Sequence, residues 1–255
     1  MSVAADDHPA SGRIADIANA IRAARYPDAA VVFAAGSIVR GEATPYSDLD
    51  LVVVYSRLAR AARESFRHDG YPVEAFLHDP ETLEYFCDQV DRPSGVPALP
   101  QMVLEGIELP AATDLSRALK QHAAALIEAG PPPLDAETEA RWRYGVTDLI
   151  DDLRGARSHD ELIATGAALY DRLADYHLRR LGHWSGKGKA IPRALQRVDR
   201  DLCVRYGRSF DTLFRLDDAG EVIALAEELL EPAGGPLFDG YRSDAPAAWR
   251  KPAAG

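Results

Sequence analysis

The chain has 255 residues, 47% of them hydrophobic and 27% charged, enough apolar material for one large core or two modest ones. That composition excludes fibrous and disordered classes, and no run reaches the ~18 to 20 apolar residues that a membrane span requires. With 29 basic against 40 acidic residues the formal net charge is -11, which disfavours broad binding to a nucleic-acid backbone.

Residues 12–25 carry Ile14, Ile17, Ala20 and Ile21 at helical spacing and are followed by Pro27, which predicts an amphipathic helix. Two apolar runs, residues 30–34 and the β-branched 49–55, read as strands buried on both faces. Residues 58–66 read as helical, 71–77 (YPVEAFL) as a third strand, and 80–90 as a helix with Asp79 at its cap and Pro80 at its first position. A helix cannot continue through Gly130-Pro131-Pro132-Pro133, so a domain boundary is expected there, dividing 1–130 from 131–255. Beyond it, residues 137–153, 160–181, 192–206 and 211–230 each have an apolar stripe at three and four spacing, which predicts an all-α bundle. A Pro/Gly-rich tail from residue 231 is expected to hug the surface or fray.

Cys87 and Cys203 are too few for a disulfide framework or a four-cysteine zinc site, and read as buried reduced thiols. The N-terminus, with Asp6, Asp7 and His8, lacks a basic flank and an apolar signal core, so a cytoplasmic location is expected.

The segment with chemical content runs from Gly36 to Val54. Gly36-Ser37 follows an apolar strand and opens a helical turn, whose unpaired N–H groups and hydroxyl suit a docked anion. Ten residues on, Asp48 and Asp50 stand two apart at the mouth of the next strand, so both carboxylates project from one face. Two hard oxygen donors in that arrangement suit Mg²⁺ together with phosphate oxygens. Glu74, an acid within an otherwise apolar strand, would cost several kcal/mol if buried unpaired, a cost removed if it faces the same metals. Arg40 suits either phosphate charge or an ion pair with Glu42 or Asp48, and Ser47 suits either a turn cap or a substrate contact.

This pattern resembles the nucleotidyltransferase superfamily that includes DNA polymerase beta, and within it the bacterial aminoglycoside (kanamycin and streptomycin type) nucleotidyltransferases. Gly36, Ser37, Asp48 and Asp50 match the family's Gly-Ser, Asp-x-Asp spacing, and Glu74 matches its third acid. The resemblance implies an α+β fold: an N-terminal catalytic domain with a small mixed β-sheet flanked by helices, and a C-terminal helical bundle that closes on substrate and nucleotide. It implies transfer of a nucleoside monophosphate from a triphosphate, with ATP first among candidates, to a hydroxyl of a small acceptor, an aminoglycoside-like antibiotic being one candidate, with release of pyrophosphate. Asp48, Asp50 and Glu74 would be the catalytic and metal-binding set, holding two Mg²⁺ or Mn²⁺ ions. Glu74 would serve as ligand, general base or both.

Gly36, Ser37, Arg40 and Ser47 would bind nucleotide, joined by Lys187 and Lys189 from the flexible cationic loop Gly182 to Lys189. The implied partners are a nucleoside triphosphate and a small acceptor, with no membrane, in a monomer or homodimer. Trp142, Tyr144, Tyr170 and Trp184 suit either a sugar-binding wall or core packing, and Glu137, Glu139, Asp148, Asp151 and Asp152 form an acidic patch. Two rival functions remain on the sequence. One is a toxin–antitoxin protein acting on RNA or on a partner protein, since Arg172 and His177 resemble the sparse ribonuclease signature of HEPN domains. The other is a non-catalytic nucleotide-binding module.

Overall fold

The computed structural model describes residues 11–250, and the chain divides into two compact units between Pro131 and Pro132. Asp6, Asp7 and His8 lie outside the described residues.

The first unit is built on a five-stranded sheet of order β3-β4-β2-β1-β5. Its strands are β1 (Val31–Ala35), β2 (Leu49–Val54), β3 (Ala62–His68), β4 (Tyr71–His78) and β5 (Ile107–Leu109). β2 and β4 run parallel, and the other pairs are antiparallel, so the sheet is mixed. Alternation along the strands gives the sheet two faces. On one, Val32, Ala34, Leu51, Val53, Val73 and Ala75 pack with Ile14, Ala18 and Ile21 of α1 (Ser11–Arg25). Each valine, leucine or isoleucine among them removed from water contributes roughly 1.5–3 kcal/mol, which fixes which face of every strand points inward.

Downstream of β4 come α2 (Pro80–Tyr85), a π-helical stretch Phe86–Asp91, α3 (Arg92–Ser94), α4 (Ala98–Glu105) and α5 (Asp114–Ala129). α4 packs on β1 and β2, and Gly130 caps the end of α5.

Residues 58–66 are not the helix their spacing predicts. They contain the start of β3, which pairs with β4 through a two-residue turn at Asp69 and Gly70, both with positive φ (48° and 86°). Asp-Gly at these positions suits a hairpin turn whose twist matches the flanking strands. Pairing with β4, and the contacts of Glu64 with Arg25 and Tyr26, override the local helical pattern.

The second unit is helical: α6 (Ala136–Gly155), α7 (His159–Arg180), α8 (Ile191–Val198), α9 (Arg200–Leu216) and α10 (Gly220–Leu230). Its core gathers Ile150, Leu169, Leu173, Leu195, Phe210 and Leu225, among others. The boundaries expected in 192–206 and 211–230 are misplaced. Asp199 caps α9 by accepting from the Leu202 N–H at 2.8 Å, which ends α8 early, and α9 runs on until Asp217 adopts a left-handed conformation. The start of the tail does not fray. Arg143 donates to the carbonyls of Ala233, Gly234 and Gly235, and Tyr241 stacks on Tyr144 with ring centroids 4.1 Å apart.

Cys87 is buried but Cys203 only half-buried, and both are free thiols. Among the described residues, no helix is long and apolar enough to cross a membrane.

Asp79 clamps the exit of β4. Its carboxylate accepts from the Leu58 N–H at 2.9 Å and the Thr82 N–H at 2.9 Å, while its own N–H donates to Thr82 Oγ1 in a capping box. Those bonds, Leu58 first and Thr82 next, hold the carboxyl down to about 2. Asp79→Ala is expected to cost about 1–3 kcal/mol in urea unfolding at pH 7. A depressed pKa stabilises the fold above the unfolded value near 3.9, so the difference between wild type and variant should shrink as pH falls from about 4 toward about 2. An unchanged difference across that window would remove the carboxylate from the account.

Candidate active site

β1 ends at Ala35, which sits opposite Asp50 of β2, and Asp50 in turn sits opposite Glu74 of the parallel neighbour β4. Residues in register on adjacent strands point to the same side, so Asp50 and Glu74 share the face that α1 does not cover. Asp48, two residues before Asp50, adds its carboxylate to that side. Oxygen atoms from the three residues lie within 4.8 Å of one another, and all three residues are half-buried.

Gly36 is required here on two counts. Its φ is +88°, a region costly for residues with a Cβ, and a Cβ at this position would lie 2.1 Å from Asp50 Oδ2. The absence of a side chain therefore gives the Asp50 carboxylate its space. The following turn closes through Arg40 N–H to Gly36 O and Glu42 N–H to Ser37 O, while Ile38 and Val39 pack against the core below. Ser37 Oγ donates to Ser47 Oγ at 3.0 Å, and Ser47 Oγ accepts from the Thr44 N–H at 2.9 Å. Ser47 is 9% exposed and ties the two ends of the loop together. Arg40 is held by Glu42 at 3.2 Å and Glu105 at 3.3 Å, linking the turn to the end of α4.

Two residues passed over in the sequence reading belong to the site's surroundings. Arg63 of β3 forms an ion pair with Glu74 Oε1 at 2.5 Å, and Ser65 Oγ donates to the same oxygen at 3.4 Å. Both sit on a strand read as helix, and the Asp69-Gly70 hairpin signal was the available clue. The Glu74 side chain is only 19% exposed, so Arg63 supplies a counter-charge that water does not fully supply.

Three carboxylates this close repel one another, and their hard oxygens match what Mg²⁺ or Mn²⁺ takes. The donor set therefore fits a divalent cation, with Asp48, Asp50 and Glu74 as its protein ligands.

In the second unit, Lys187 and Lys189 are exposed and flank Gly188 on the short 3₁₀ turn Gly188–Ala190 ahead of α8. Tyr170 is a packing residue, its ring edge-on to Tyr206 and Phe210 at 5.2 and 4.9 Å. The acidic patch is partly neutralised, since Arg154 pairs with Asp151 at 2.7 Å. Arg172 is exposed and His177 buried, as expected for positions about 140° apart around one helix, and this places them on different faces of α7.

Residues 16–88 match the family model described as Nucleotidyltransferase domain. The match spans the turn at Gly36 and all three acids. No curated protein matches the chain's sequence at a significant level. Among solved structures, a nucleotidyltransferase-like protein from Exiguobacterium sibiricum 255-15 aligns at a TM-score of 0.44 with 15% identity, covering 86% of this chain and 74% of that one. Residues 16–88 are thus a nucleotidyltransferase domain, and the chain that carries it is an enzyme of the nucleotidyltransferase class.

Placing a methyl group at residue 36 tests the geometry without replacing any of the three acids. Gly36→Ala should weaken Mn²⁺ binding by at least about tenfold, the scale seen when a group supporting a metal ligand is disturbed. Titration followed by electron paramagnetic resonance measures it, with circular dichroism as the control for folding. Wild-type Mn²⁺ affinity in a folded Gly36→Ala protein would refute the space argument.

Proposed function

We propose that the protein transfers a nucleoside monophosphate from ATP to a hydroxyl of a small-molecule acceptor, releasing pyrophosphate. The observation that supports this reading is the convergence of Asp48, Asp50 and Glu74 beside the Gly36-Ser37 turn, inside a segment that matches a nucleotidyltransferase domain.

The turn offers N–H groups to the outer phosphates, and the Ser37–Ser47 hydroxyl pair holds its two ends together. Arg40, already paired with Glu42 and Glu105, is assigned to the nucleotide by its place on the same turn. Lys187 and Lys189 carry exposed positive charge of the kind a polyphosphate attracts. Magnesium ions, when held by Asp48, Asp50 and Glu74, supply positive charge that stabilises the entering and leaving oxygens. The acceptor oxygen forms its bond to the α-phosphorus as the bond from that phosphorus to the bridging oxygen breaks. Pyrophosphate leaves with the bonding pair, and the hydroxyl proton passes to Glu74.

Arg63 orients the Glu74 carboxylate by holding Oε1.

Asp50→Asn keeps the size of the side chain and removes its charge. Transfer should fall by over ~100-fold while the thermal unfolding midpoint stays close to wild type. Incubation with ATP, GTP, CTP or UTP and a panel of hydroxylated acceptors, scored by mass shift and pyrophosphate release, provides the measurement. Near-normal transfer by a folded Asp50→Asn protein would sink the mechanism.

A further inference from the structure

Glu74, Phe76 and His78 alternate along β4 and therefore share one face, the face of the acidic site. Beside the last two lies a pocket of about 570 Å³, within the size range of small-molecule sites. Phe76, His78, Phe86, Leu99 and Met102 give it a largely apolar lining, with Arg63 at the side nearest Glu74. The Arg63 guanidinium stands 5.0 Å above the Phe76 ring while bonding Glu74, so one side chain borders both the pocket and the acidic site.

His78 is the anomaly. It is only 3% exposed, its ring lies edge-on to Phe86 at 5.1 Å, and its Nδ1 has no hydrogen-bond partner among the described residues. A buried polar atom left without a partner costs roughly 1–3 kcal/mol, a cost that a ligand's polar group would remove. Burial also lowers the His78 pKa, so the ring is neutral near pH 7.

The strand register gives the pocket its direction. Ala35 stands at the Asp50 row and the chain leaves it for the Gly36 turn in the direction of Leu49, whereas Phe76 and His78 stand at the Val52 and Val54 rows. The turn and the pocket therefore lie on opposite sides of the Asp50–Glu74 row. In-line transfer needs the entering oxygen and the departing pyrophosphate on opposite sides of the α-phosphorus. With the polyphosphate on the turn, the acceptor enters from the pocket.

Resting on the transfer reading above, we infer that this pocket binds the acceptor, and that the acceptor is a flat, mainly apolar, ring-containing alcohol or phenol. Its reacting hydroxyl points toward Glu74 and a second polar group at its far end meets His78. From Glu74 to His78 the strand spans about 13 Å, room for a bicyclic ring. The lining does not suit a polycationic aminocyclitol. Its acid, Asp91, is already engaged with the Leu99 N–H at 2.7 Å, and Arg63 places a positive charge at the border. The chemistry is the transfer already written: the acceptor oxygen bonds to the α-phosphorus, pyrophosphate departs, and the proton goes to Glu74.

The test uses the full chain and 2,6-dihydroxynaphthalene, a flat probe with hydroxyls at opposite ends, followed by saturation-transfer NMR, alongside a separate titration with Mn-ATP. Two variants accompany wild type: His78→Phe, which keeps an aromatic ring without the nitrogen, and Ala98→Trp, an exposed lining position where a large ring would plug the mouth. The probe should bind wild type, weaken roughly tenfold in His78→Phe for the lost hydrogen bond, and weaken at least tenfold in Ala98→Trp. Mn-ATP binding should persist in both. If Mn-ATP binds while the probe binds none of the proteins, or binds all of them equally, the pocket assignment is wrong and the transfer reading stands. If the probe behaves as expected but Mn-ATP does not bind wild type, the transfer reading fails and takes the acceptor role with it.

Discussion

The register between β2 and its two neighbours is the constraint on which this protein's chemistry depends. Asp50 meets Glu74 across the parallel pair and Ala35 across the antiparallel pair because Leu51, Val53, Val73 and Ala75 must all face α1. A slip of one residue would turn the apolar set toward the acidic face and bury the carboxylates under the helix, a reversal costing many kcal/mol. Hydrophobic burial on one side of the sheet thus enforces the approach of like charges on the other. Their mutual repulsion is offset in part by Arg63 and is suited to a divalent cation.

Small residues and short hydrogen-bonded links hold the ends of this arrangement. Gly36 leaves Asp50 its space, and Ser47 joins Ser37 to Thr44 so that the ten-residue connection returns in the right place. On the next strand, Asp79 fastens the loop after β2 to the first turn of α2, directly behind His78. The strand that carries Glu74, Phe76 and His78 is therefore fixed at its exit. A pocket built on such a strand is largely preformed, and a ligand entering it loses little to ordering the protein.

Three clustered carboxylates that fit a divalent cation and an apolar pocket on one sheet face make different demands on a ligand. The first, with cations held, would attract a polyphosphate through charge, whatever the rest of the molecule. The second, lined by Phe76, Phe86 and Met102, selects by shape and apolar area. The resemblance to aminoglycoside-modifying enzymes rests on Gly-Ser and Asp-x-Asp, which concern the nucleotide, and on the order of elements with a helical second half, not on any acceptor contact. Acceptor choice belongs to surfaces that vary independently of that motif.

The grouping of the three acids beside the Gly36 turn was legible in the chain because it is local or periodic. Asp48 and Asp50 are two apart on a strand, Gly36-Ser37 precedes them by a short loop, and Glu74 stands out as a charge within an apolar run. The helical second half was equally readable from its stripes, though the capping by Asp199 and the left-handed Asp217 shifted two boundaries. What escaped was the pairing of distant segments. β3 looks helical until β4 pairs with it, and with β3 went Arg63 and Ser65, the partners of Glu74. The pocket joins residues from β3, β4, the π-helical stretch and α4, which no spacing rule connects. Sequence alone determined which groups could carry chemistry, because residue type and short-range periodicity set charge and facing. Only the tertiary structure decided which groups meet, because register and packing between remote segments arise from burial summed over the whole core.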